Sequence, residues 1–305
     1  MTCSRPLRFG LVGTGHWARI THAPALAATP GVELTAVWGR NPEAAAALAA
    51  QHGATVHHDI GALLDDVDAV AFAVPPDVQA GIARRAAAAG KHLLLEKPLA
   101  IDRAQAEALV QEVGQAGVAA LVFFTARYQE DVRAWLADVT ARGPWTGGHA
   151  TWLGSALREG SPYNTPWRRA KGGLWDLAPH LISLLWAALG PVTTVTADAG
   201  LADVTHLVLH HDSGAASALT VTLSAPGSAE LLEVFIWGEP GRSAAPAESP
   251  DAVVPLRTAL TELAAMARAG QVSHPCDIRF GYAVGRIVAE AQHHLNAARA
   301  APPAK

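Results

Sequence analysis

Cysteine is nearly absent from this chain, which has Cys3 and Cys276 and no others among 305 residues. Two cysteines cannot build a disulfide framework, and such scarcity is typical of a reducing compartment, so we expect a cytoplasmic protein. We also expect no signal peptide, because an apolar strand pattern already begins within the first ten residues.

Charged residues and long apolar runs are scarce too. Charged residues make up 16% of the chain, the net charge is −4, and there is no run rich in Lys and Arg. This argues against nucleic acid or an anionic membrane as a partner. The longest apolar stretch, 177–192, is interrupted by Pro179 and His180, which indicates a core helix rather than a membrane span.

The chain does contain a glycine-rich turn directly after an apolar strand pattern. The sequence Arg-Phe-Gly-Leu-Val-Gly-Thr-Gly-His-Trp-Ala places Gly13, Gly15 and Ala18 in a Gly-x-Gly-x-x-Ala pattern. Such a turn lets the backbone approach a pyrophosphate closely, and the following helix offers unpaired N–H groups to it. An ordinary strand–helix turn is the alternative, and the position after a first strand favours a dinucleotide site.

The first part of the chain alternates strand and helix patterns. Because single helices separate the strands, we expect right-handed crossovers and a doubly wound parallel sheet over residues 1–122. The expected strands are 8–12, 32–38, 69–74, 92–95 and 119–124, and the expected helices are 41–53, 78–89 and 102–117.

The pattern changes near residue 123, where strand patterns begin to follow one another directly. We expect residues 123–305 to form an α/β domain with a mostly antiparallel open sheet, a surface loop over 238–255 and a frayed tail over 301–305. The expected strands are 148–157, 192–197, 204–211, 215–224 and 231–238, with a hairpin turn at 212–214. The expected helices are 130–141, 259–269 and 278–298.

A lysine follows one of the buried strands of the first part. Leu-Leu-Leu-Glu-Lys-Pro ends at Pro98 and places Lys97 at the carboxyl edge of the sheet, where open α/β folds bind ligands. A solvated ammonium is the ordinary alternative. The chain has four lysines in all, and a compact ammonium can hydrogen-bond a developing alkoxide, so we interpret Lys97 as catalytic.

A third pattern, Gly-Gly-Leu-Trp-Asp-Leu-Ala-Pro-His, runs from Gly172 to His180. The two glycines would precede a helix, in which Asp176 and His180 lie four residues apart on one face, with Ser183 on the same face. A carboxylate one turn before an imidazole can orient it for proton transfer. A helix cap and a core histidine are the equally weighted alternative.

Together these segments resemble the Gfo/Idh/MocA oxidoreductase family. The resemblance covers nearly the whole chain and rests on the glycine turn, on residues 86–98, on Arg127-Tyr128 and on Gly-Gly-x-x-Asp-x-x-x-His. It implies a Rossmann domain followed by an α/β domain, a nicotinamide cofactor and a sugar-like or cyclitol substrate. It also places Lys97, Asp176 and His180 on the catalytic lysine, aspartate and histidine of the family.

The chain departs from the family pattern at four positions. Lys171 stands where a third glycine is frequent, Ser183 where an aspartate is, Thr125 where an asparagine is and Gln79 where a histidine is. The catalytic residues are retained, so we expect these departures to alter the set of residues that contacts the substrate.

From the patterns and the resemblance we assign two sets of contact residues. Ordinary packing and surface charge are the alternative for the substrate set. We expect substrate contacts from Arg127, Tyr163, Trp167 and Arg168. We expect cofactor contacts from Gly13, Thr14, Gly15, His16, Trp17, Gly39, Arg40, Asn41, Pro75, Glu96 and Lys97.

The end of the second strand bears on the choice of cofactor. NAD-selective domains usually carry Asp or Glu about 20 residues beyond the glycine turn, and Gly39 occupies that position here. Glycine leaves room for a 2′-phosphate, and Arg40 is the next residue as a possible phosphate partner. We therefore expect NADP(H) to be favoured over NAD(H), the alternative being that Arg40 stacks on adenine and serves both.

We expect hydride transfer between nicotinamide and a sugar-like hydroxyl or carbonyl, with no metal. A redox-neutral lyase or glycosidase that retains its NAD(P), and a non-catalytic NAD(P)-binding sensor, are the alternatives. In the second sheet, strand 204–211 directs Leu207 and Leu209 to one face and Val208 to the other, and strand 231–237 likewise has apolar residues on both faces. More apolar surface than a solvated face needs predicts a homodimer or homotetramer through this sheet.

Overall fold

The computed structural model describes residues 5–247 and 249–300 and divides into two compact units. The first contains the chain up to Tyr128 together with Pro250–Tyr282, and the second contains Gln129–Ser249 together with the chain from Ala283 onwards. These units differ from the stretches 1–122 and 123–305, because residues 250–282 pack with the first unit. Cys3 and the tail 301–305 lie outside the described residues, within which no helix has the length and apolarity needed to cross a membrane.

The first unit contains a fully parallel sheet of six strands, which confirms the expected Rossmann architecture. Its spatial order is β3-β2-β1-β4-β5-β6. The reversal of strand order beside β1 is the point at which doubly wound sheets bind ligands. The strands are β1 Leu7–Val12, β2 Val32–Trp38, β3 Thr55–Val56, β4 Ala69–Phe72, β5 His92–Glu96 and β6 Ala120–Phe123.

Helices cover this sheet and begin and end where the sequence signals them. Asn41 accepts a hydrogen bond from the Ala44 N–H at the start of its helix, and Gly53 ends that helix in the left-handed conformation. Asp102 likewise accepts from the Gln105 N–H at the start of the helix after β5, and Gly117 ends that helix in the left-handed conformation. The helices are α1 Ala23–Ala28, α2 Pro42–His52, α3 Ile60–Asp66, α4 Pro76–Ala88 and α5 Arg103–Ala116, of which α3 was not expected, nor was the short strand β3.

The second unit contains a mixed, mostly antiparallel sheet of six strands, as expected. Its order is β12-β11-β7-β10-β9-β8, and only the β7–β10 pair is parallel among the described strands. The turn 212–214 joins β9 to β10, with Gly214 at a positive φ. The strands are β7 Trp145–Leu153, β8 Val192–Ala199, β9 Thr205–His211, β10 Ala216–Thr222, β11 Leu231–Gly238 and β12 Gly241–Ala244.

Two expectations for the second unit were wrong. The strand expected over 148–157 ends at Leu153, because the chain leaves the sheet at Gly154 for a loop. The stretch 238–255 is not a plain loop, since Gly241, at a positive φ, starts β12 as a hairpin partner of β11. The helices that follow β6 are α6 Glu130–Arg142, α7 Pro166–Asp176, α8 Ala178–Leu189, α9 Val253–Ala269 and α10 Ile278–Ala300.

The returning segment 250–282 completes the first unit. Helix α9 packs against α1, β5 and β6. The N–H of Val122 in β6 donates to the carbonyl of Cys276 at 2.9 Å, and Leu121 forms an isolated bridge with Asp277. These backbone bonds cover the free edge of β6, which would otherwise leave unpaired polar groups at the end of the sheet.

Candidate active site

The glycine turn after β1 has the shape that a pyrophosphate requires. Gly13 has a φ of +130°, and a Cβ there would collide with the carbonyl oxygen of Ala73, so no larger residue fits. Gly15 is exposed, and no atom lies within 4 Å of the position its Cβ would take. The Arg19 N–H donates to the Gly15 carbonyl at 3.1 Å, so a helical turn begins immediately after this open approach. These residues therefore fit the phosphates of a dinucleotide.

A π-helical turn, Ala18–His22, then brings two side chains onto one carboxylate. Residues five apart in an α-helix lie about 140° apart around the axis, whereas a π-turn, here closed by the Ala23 N–H on the Ala18 carbonyl, aligns them. Trp17 Nε1 donates to Glu96 Oε1 at 2.6 Å, and His22 Nε2 lies 2.9 Å from the same oxygen. The carboxylate of Glu96 is thus engaged by the helix that follows the glycine turn.

The end of β2 lies against the glycine turn. A Cβ at Gly39 would come within 2.6 Å of Cγ2 of Thr14, so Thr14 occupies the space that an acidic side chain at 39 would need. Arg40 is exposed, and the side chain of Asn41 is used as the cap of α2. The carbonyl of Pro75 accepts from the N–H groups of Val78 and Gln79 at the start of α4.

Lys97 follows β5 directly and is partly exposed. The neighbouring backbone is held by Gln79, whose amide is fully buried and bonds the main chain of Glu96 on both its N–H and its carbonyl, each at 2.8 Å. The expectation that position 79 alters the substrate-contacting set was therefore wrong, because a fully buried side chain bonded to backbone has no surface left for a substrate.

Arg127 lies in a 3₁₀ turn, Thr125–Tyr128, directly after β6. Its guanidinium lies over the ring of Phe280 at 5.3 Å from the centroid, and both residues belong to the first unit. Thr125 is buried. The cation–π contact restricts the guanidinium to one region of the first unit.

In the second unit, the segment with Asp176 and His180 is not one continuous helix. Asp176 ends α7 and His180 lies in the first turn of α8, with Leu177 between the two helices. Pro179 has no N–H for a continuous helical ladder, which accounts for the break. His180 is buried and packs against the Trp152 ring at 5.5 Å, while the Ser183 hydroxyl donates to the His180 carbonyl.

Asp176 is held by an arginine. Arg168 Nε lies 2.6 Å from Oδ2 of Asp176, and a second guanidinium nitrogen lies 3.4 Å from Oδ1. The guanidinium also stacks on Trp167 and Tyr163, at 4.7 Å and 5.4 Å from the ring centroids. Burial, with a smaller contribution from Asp176, raises the pKa of Tyr163 above its usual range against the opposing effect of Arg168. All four residues belong to the second unit and form one cluster.

Asp203, which the sequence patterns did not single out, supports the same segment. Its carboxylate accepts from the N–H of Gly173 at 3.0 Å, from the N–H of Leu223 at 2.7 Å and from the Thr222 hydroxyl at 2.6 Å. Burial, the largest influence, raises the pKa of Asp203, yet the hydrogen bonds together hold it below its usual range. Gly172, with a φ of +65°, breaks α7 at this point, so Asp203 holds the start of the turn that carries Asp176.

A cavity of about 560 Å³ opens beside Asp176 and Tyr163 in the second unit. Its walls combine apolar side chains with a few polar groups, which is typical of small-molecule sites. The side chains of Ser155 and Glu230 are hydrogen-bonded to each other at its edge. The apolar lining includes Trp152, Leu153, Leu177, Leu223 and Leu232.

Comparison with known families agrees with both units. Residues 7–124 match the model of an oxidoreductase family with an NAD-binding Rossmann fold, and residues 141–243 match the GFO/IDH/MocA C-terminal domain. The chain belongs to the Gfo/Idh/MocA family. The resemblance read from the glycine turn, Glu-Lys-Pro and Asp-x-x-x-His is thereby confirmed.

Individual members of the family show how far the likeness extends. The chain is 29% identical to the oxidoreductase YdgJ of Escherichia coli (strain K12) over 63% of its own length and 56% of that protein. It is 33% identical to an inositol 2-dehydrogenase of Rhizobium meliloti (strain 1021) over 40% of this chain and 37% of that one. The chain thus matches only a little over half of the first relative's length and little more than a third of the second's. A levoglucosan dehydrogenase solved with NADH and levoglucosan shares the fold, with a TM-score of 0.82 at 21% identity over 96% of this chain and 98% of that chain.

Proposed function

We propose that this protein is an NAD(P)-dependent dehydrogenase or reductase acting on a hydroxyl or carbonyl of a sugar-like or cyclitol substrate. The observation that carries the proposal is the open glycine turn at Gly15 together with Lys97 at the carboxyl end of β5 in the same sheet. A dinucleotide fits the first, and the second places an ammonium at the edge where ligands bind. The family relatives named as dehydrogenases support it.

The turn at Gly13 and Gly15 would hold a nicotinamide dinucleotide, which would supply or accept the hydride when bound. Lys97 donates a hydrogen bond to the reacting substrate oxygen and stabilises the charge that develops on it. His180 gives or takes the proton, for which an imidazole is suited near neutral pH. The ion pair of Asp176 and Arg168 supplies polar groups for the neighbouring hydroxyls of the substrate.

The cavity beside Asp176 and Tyr163 supports a sugar-like substrate. Trp152 and Tyr163 line the cavity and supply aromatic surface, which suits the C–H side of a sugar. Asp176 and Arg158 also line it and supply polar groups. Arg127, Tyr163, Trp167 and Arg168 remain our proposed substrate contacts.

The test is a turnover screen of keto-sugars, cyclitols and sugar aldehydes with NADPH and NADH. A steady change in the absorbance of the reduced nicotinamide, in proportion to product, supports an oxidoreductase. Product formation without a net change in the cofactor would contradict the proposal and support a redox-neutral lyase or glycosidase. Tight cofactor binding without any turnover would support a sensor.

We also propose that NADP(H) is favoured over NAD(H). Gly39 carries no carboxylate that would repel a 2′-phosphate, and Thr14 occupies the space that an acidic side chain at position 39 would need. The exposed Arg40 offers a planar guanidinium as a partner for the phosphate. We propose a cytoplasmic location because cysteine is scarce in the sequence, which is typical of a reducing compartment.

We further propose a homodimer, or a dimer of such dimers, through the outer face of the second sheet, defined by His206, Val208 and His210 of β9 and their neighbours in register. The opposite face of β9 is buried. Val208, Ala218, His149 and Phe235 follow one another in register across four strands, and Val208 and Trp237 are each 42% exposed. A mostly apolar row across a partly exposed sheet face suits a two-fold interface with a second copy.

Light scattering at micromolar concentration tests this assembly. The wild type should give at least the mass of a dimer, and Val208→Glu should give a monomer because it buries an unpaired charge in the interface. Leu201→Glu, in a loop and 90% exposed, is the matched control and should leave the mass unchanged. A monomeric wild type would overturn the proposal.

A further inference from the structure

Gln79 completes the sheet at the point where strand β4 stops. In β5, His92, Leu93 and Leu94 pair with β4, and the pairing ends there, whereas on the other side β5 pairs with β6 up to Glu96. The β4 side of Glu96 therefore lacks a strand partner. The Gln79 side chain takes this place, because its Oε1 accepts from the Glu96 N–H and its Nε2 donates to the Glu96 carbonyl, both at 2.8 Å. A side-chain amide offers the same donor and acceptor as a peptide group.

The same amide also reaches past Lys97. Nε2 of Gln79 lies 3.3 Å from the carbonyl oxygens of both Pro98 and Leu99. The main chain from Glu96 to Leu99 thus curves around one buried NH₂ group, and Lys97 lies at the middle of the curve. Gln79 is 0% exposed, so these bonds form away from water, where they are strong and where losing them leaves polar groups unsatisfied.

The position of Gln79 is itself well determined. Pro75 and Pro76 begin α4, and the Gln79 N–H donates to the Pro75 carbonyl at 3.0 Å. Because proline fixes φ, this first turn has little freedom. The amide is therefore delivered to β5 from a rigid helix start. Catalytic groups need such support, since an error of about 1 Å in the placement of a reacting group can cost about 100-fold in rate.

We propose that Gln79 is a positioning residue for Lys97: it sets the backbone from which the lysine reaches the reacting oxygen and touches neither substrate nor cofactor. The inference rests on the proposed function for the role of Lys97. The inference also accounts for an amide at position 79, where the family frequently has a histidine. An imidazole has one donor and one acceptor on opposite sides of its ring. It cannot make both bonds to one peptide group and also reach two further carbonyls.

The experiment compares Gln79→Met, which removes both polar groups at similar volume, with Gln79→Glu, which keeps the acceptors and loses the donor. Both variants should lower kcat by about 10- to 100-fold, while KM for the substrate and Kd for NADPH change less than about threefold. Hydrogen exchange of the Glu96 amide should become faster in Gln79→Met, because its acceptor is gone. Lys91→Met is the control, since it removes a bond from Lys91 Nζ to the Val67 carbonyl near the start of the same strand and should leave kcat unchanged.

A kcat within about twofold of the wild type in Gln79→Met, with faster exchange at Glu96, would overturn the proposal, because the backbone would then be loosened without affecting the lysine. If Gln79→Met does not fold, Gln79→Asn keeps the amide on a side chain one methylene shorter and decides the same question. If the wild type turns over no substrate, the proposed function fails on its own, and a crystal structure of Gln79→Met decides the inference: an unmoved Lys97 Cα overturns it.

Discussion

Arg168 and Asp176 form a two-pronged ion pair, with Nε to Oδ2 at 2.6 Å and the second contact at 3.4 Å. The aspartate side chain is 7% exposed and the arginine side chain 20%. A buried carboxylate that loses a charged partner is strongly destabilised, so Arg168 helps to hold the Asp176 side chain in place. Asp176, the aspartate we propose to be catalytic, is therefore held by a residue eight positions earlier in the chain.

Arg168→Met should lower kcat/KM by about 10- to 100-fold and reduce the free energy of unfolding by about 3 kcal/mol, because it leaves Asp176 buried without its cation. For Arg168→Lys, kcat/KM and the free energy of unfolding should lie between those of Arg168→Met and the wild type. An ammonium keeps the charge but loses the two-point contact with Asp176 and the contact with the Trp167 ring. Steady-state kinetics and urea unfolding measure both effects. Arg169→Met, at an exposed neighbour, is the control, and an equal loss there would refute the argument.

Removal of the proposed catalytic groups should act on kcat. Lys97→Ala should lower kcat by about 10²- to 10³-fold, comparable to deleting an oxyanion-type donor, with cofactor affinity little changed. His180→Ala should lower kcat by about 10²- to 10⁴-fold through loss of the general acid or base. Single-turnover kinetics with fluorescence titration of NADPH separates the two effects. Near-normal turnover in either variant would exclude that residue from the mechanism.

Variants at Arg40, Gly39 and Thr14 test which of the two nicotinamide cofactors the protein prefers. Arg40→Ala should weaken NADPH binding by about 10-fold or more and leave NADH binding nearly unchanged. Gly39→Asp alone should weaken both cofactors, because its Cβ displaces Thr14 from the glycine turn. The double variant Thr14→Gly/Gly39→Asp should recover NADH binding and not NADPH binding. Isothermal titration of both cofactors checks this series, and an equal loss of both in Arg40→Ala would exclude phosphate recognition.

The lowered pKa of Asp203 makes the stability of the protein depend on pH. Because its pKa in the folded protein lies below the usual value, its contribution to stability is present above that usual value, near pH 4, and is lost as the pH falls through the folded pKa. Asp203→Asn should reduce the free energy of unfolding by about 1–3 kcal/mol at neutral pH, since its NH₂ faces N–H donors. The difference from the wild type should shrink on acidification below pH 4. Urea unfolding from pH 7 to pH 3 tests this, and a constant difference would contradict it.

Sequence patterns were sufficient for the parts of the fold that depend on local signals. Asn41, Gly53, Asp102 and Gly117 mark helix ends through their own side chains or φ angles, so their meaning can be read one residue at a time. The glycine turn and the lysine after β5 were likewise placed correctly with respect to their strands. Each of these depends on residues that are close together in the chain.

What the patterns missed depends on partners that are distant in the chain. Nothing near Asp203 shows that it will meet Gly173 and Leu223, and nothing near Gln79 shows that it will meet Glu96. The pairing of Arg168 with Asp176 was not expected either, because it follows from how α7 is broken at Gly172. Such contacts are set by tertiary packing, on which periodicity and spacing carry no information.

The order in which the ribosome makes this chain differs from the order in which its units can be completed. Helix α9 and the backbone at Cys276, which cover β5 and the edge of β6, are synthesised only after all of the strands β7–β12. A nascent chain that has reached Tyr128 therefore displays an apolar surface and an unpaired strand edge while more than a hundred further residues are added, at about 5–20 residues per second. During this interval of roughly 6 to 24 seconds the exposed apolar surface and unpaired edge make the incomplete first unit prone to aggregation.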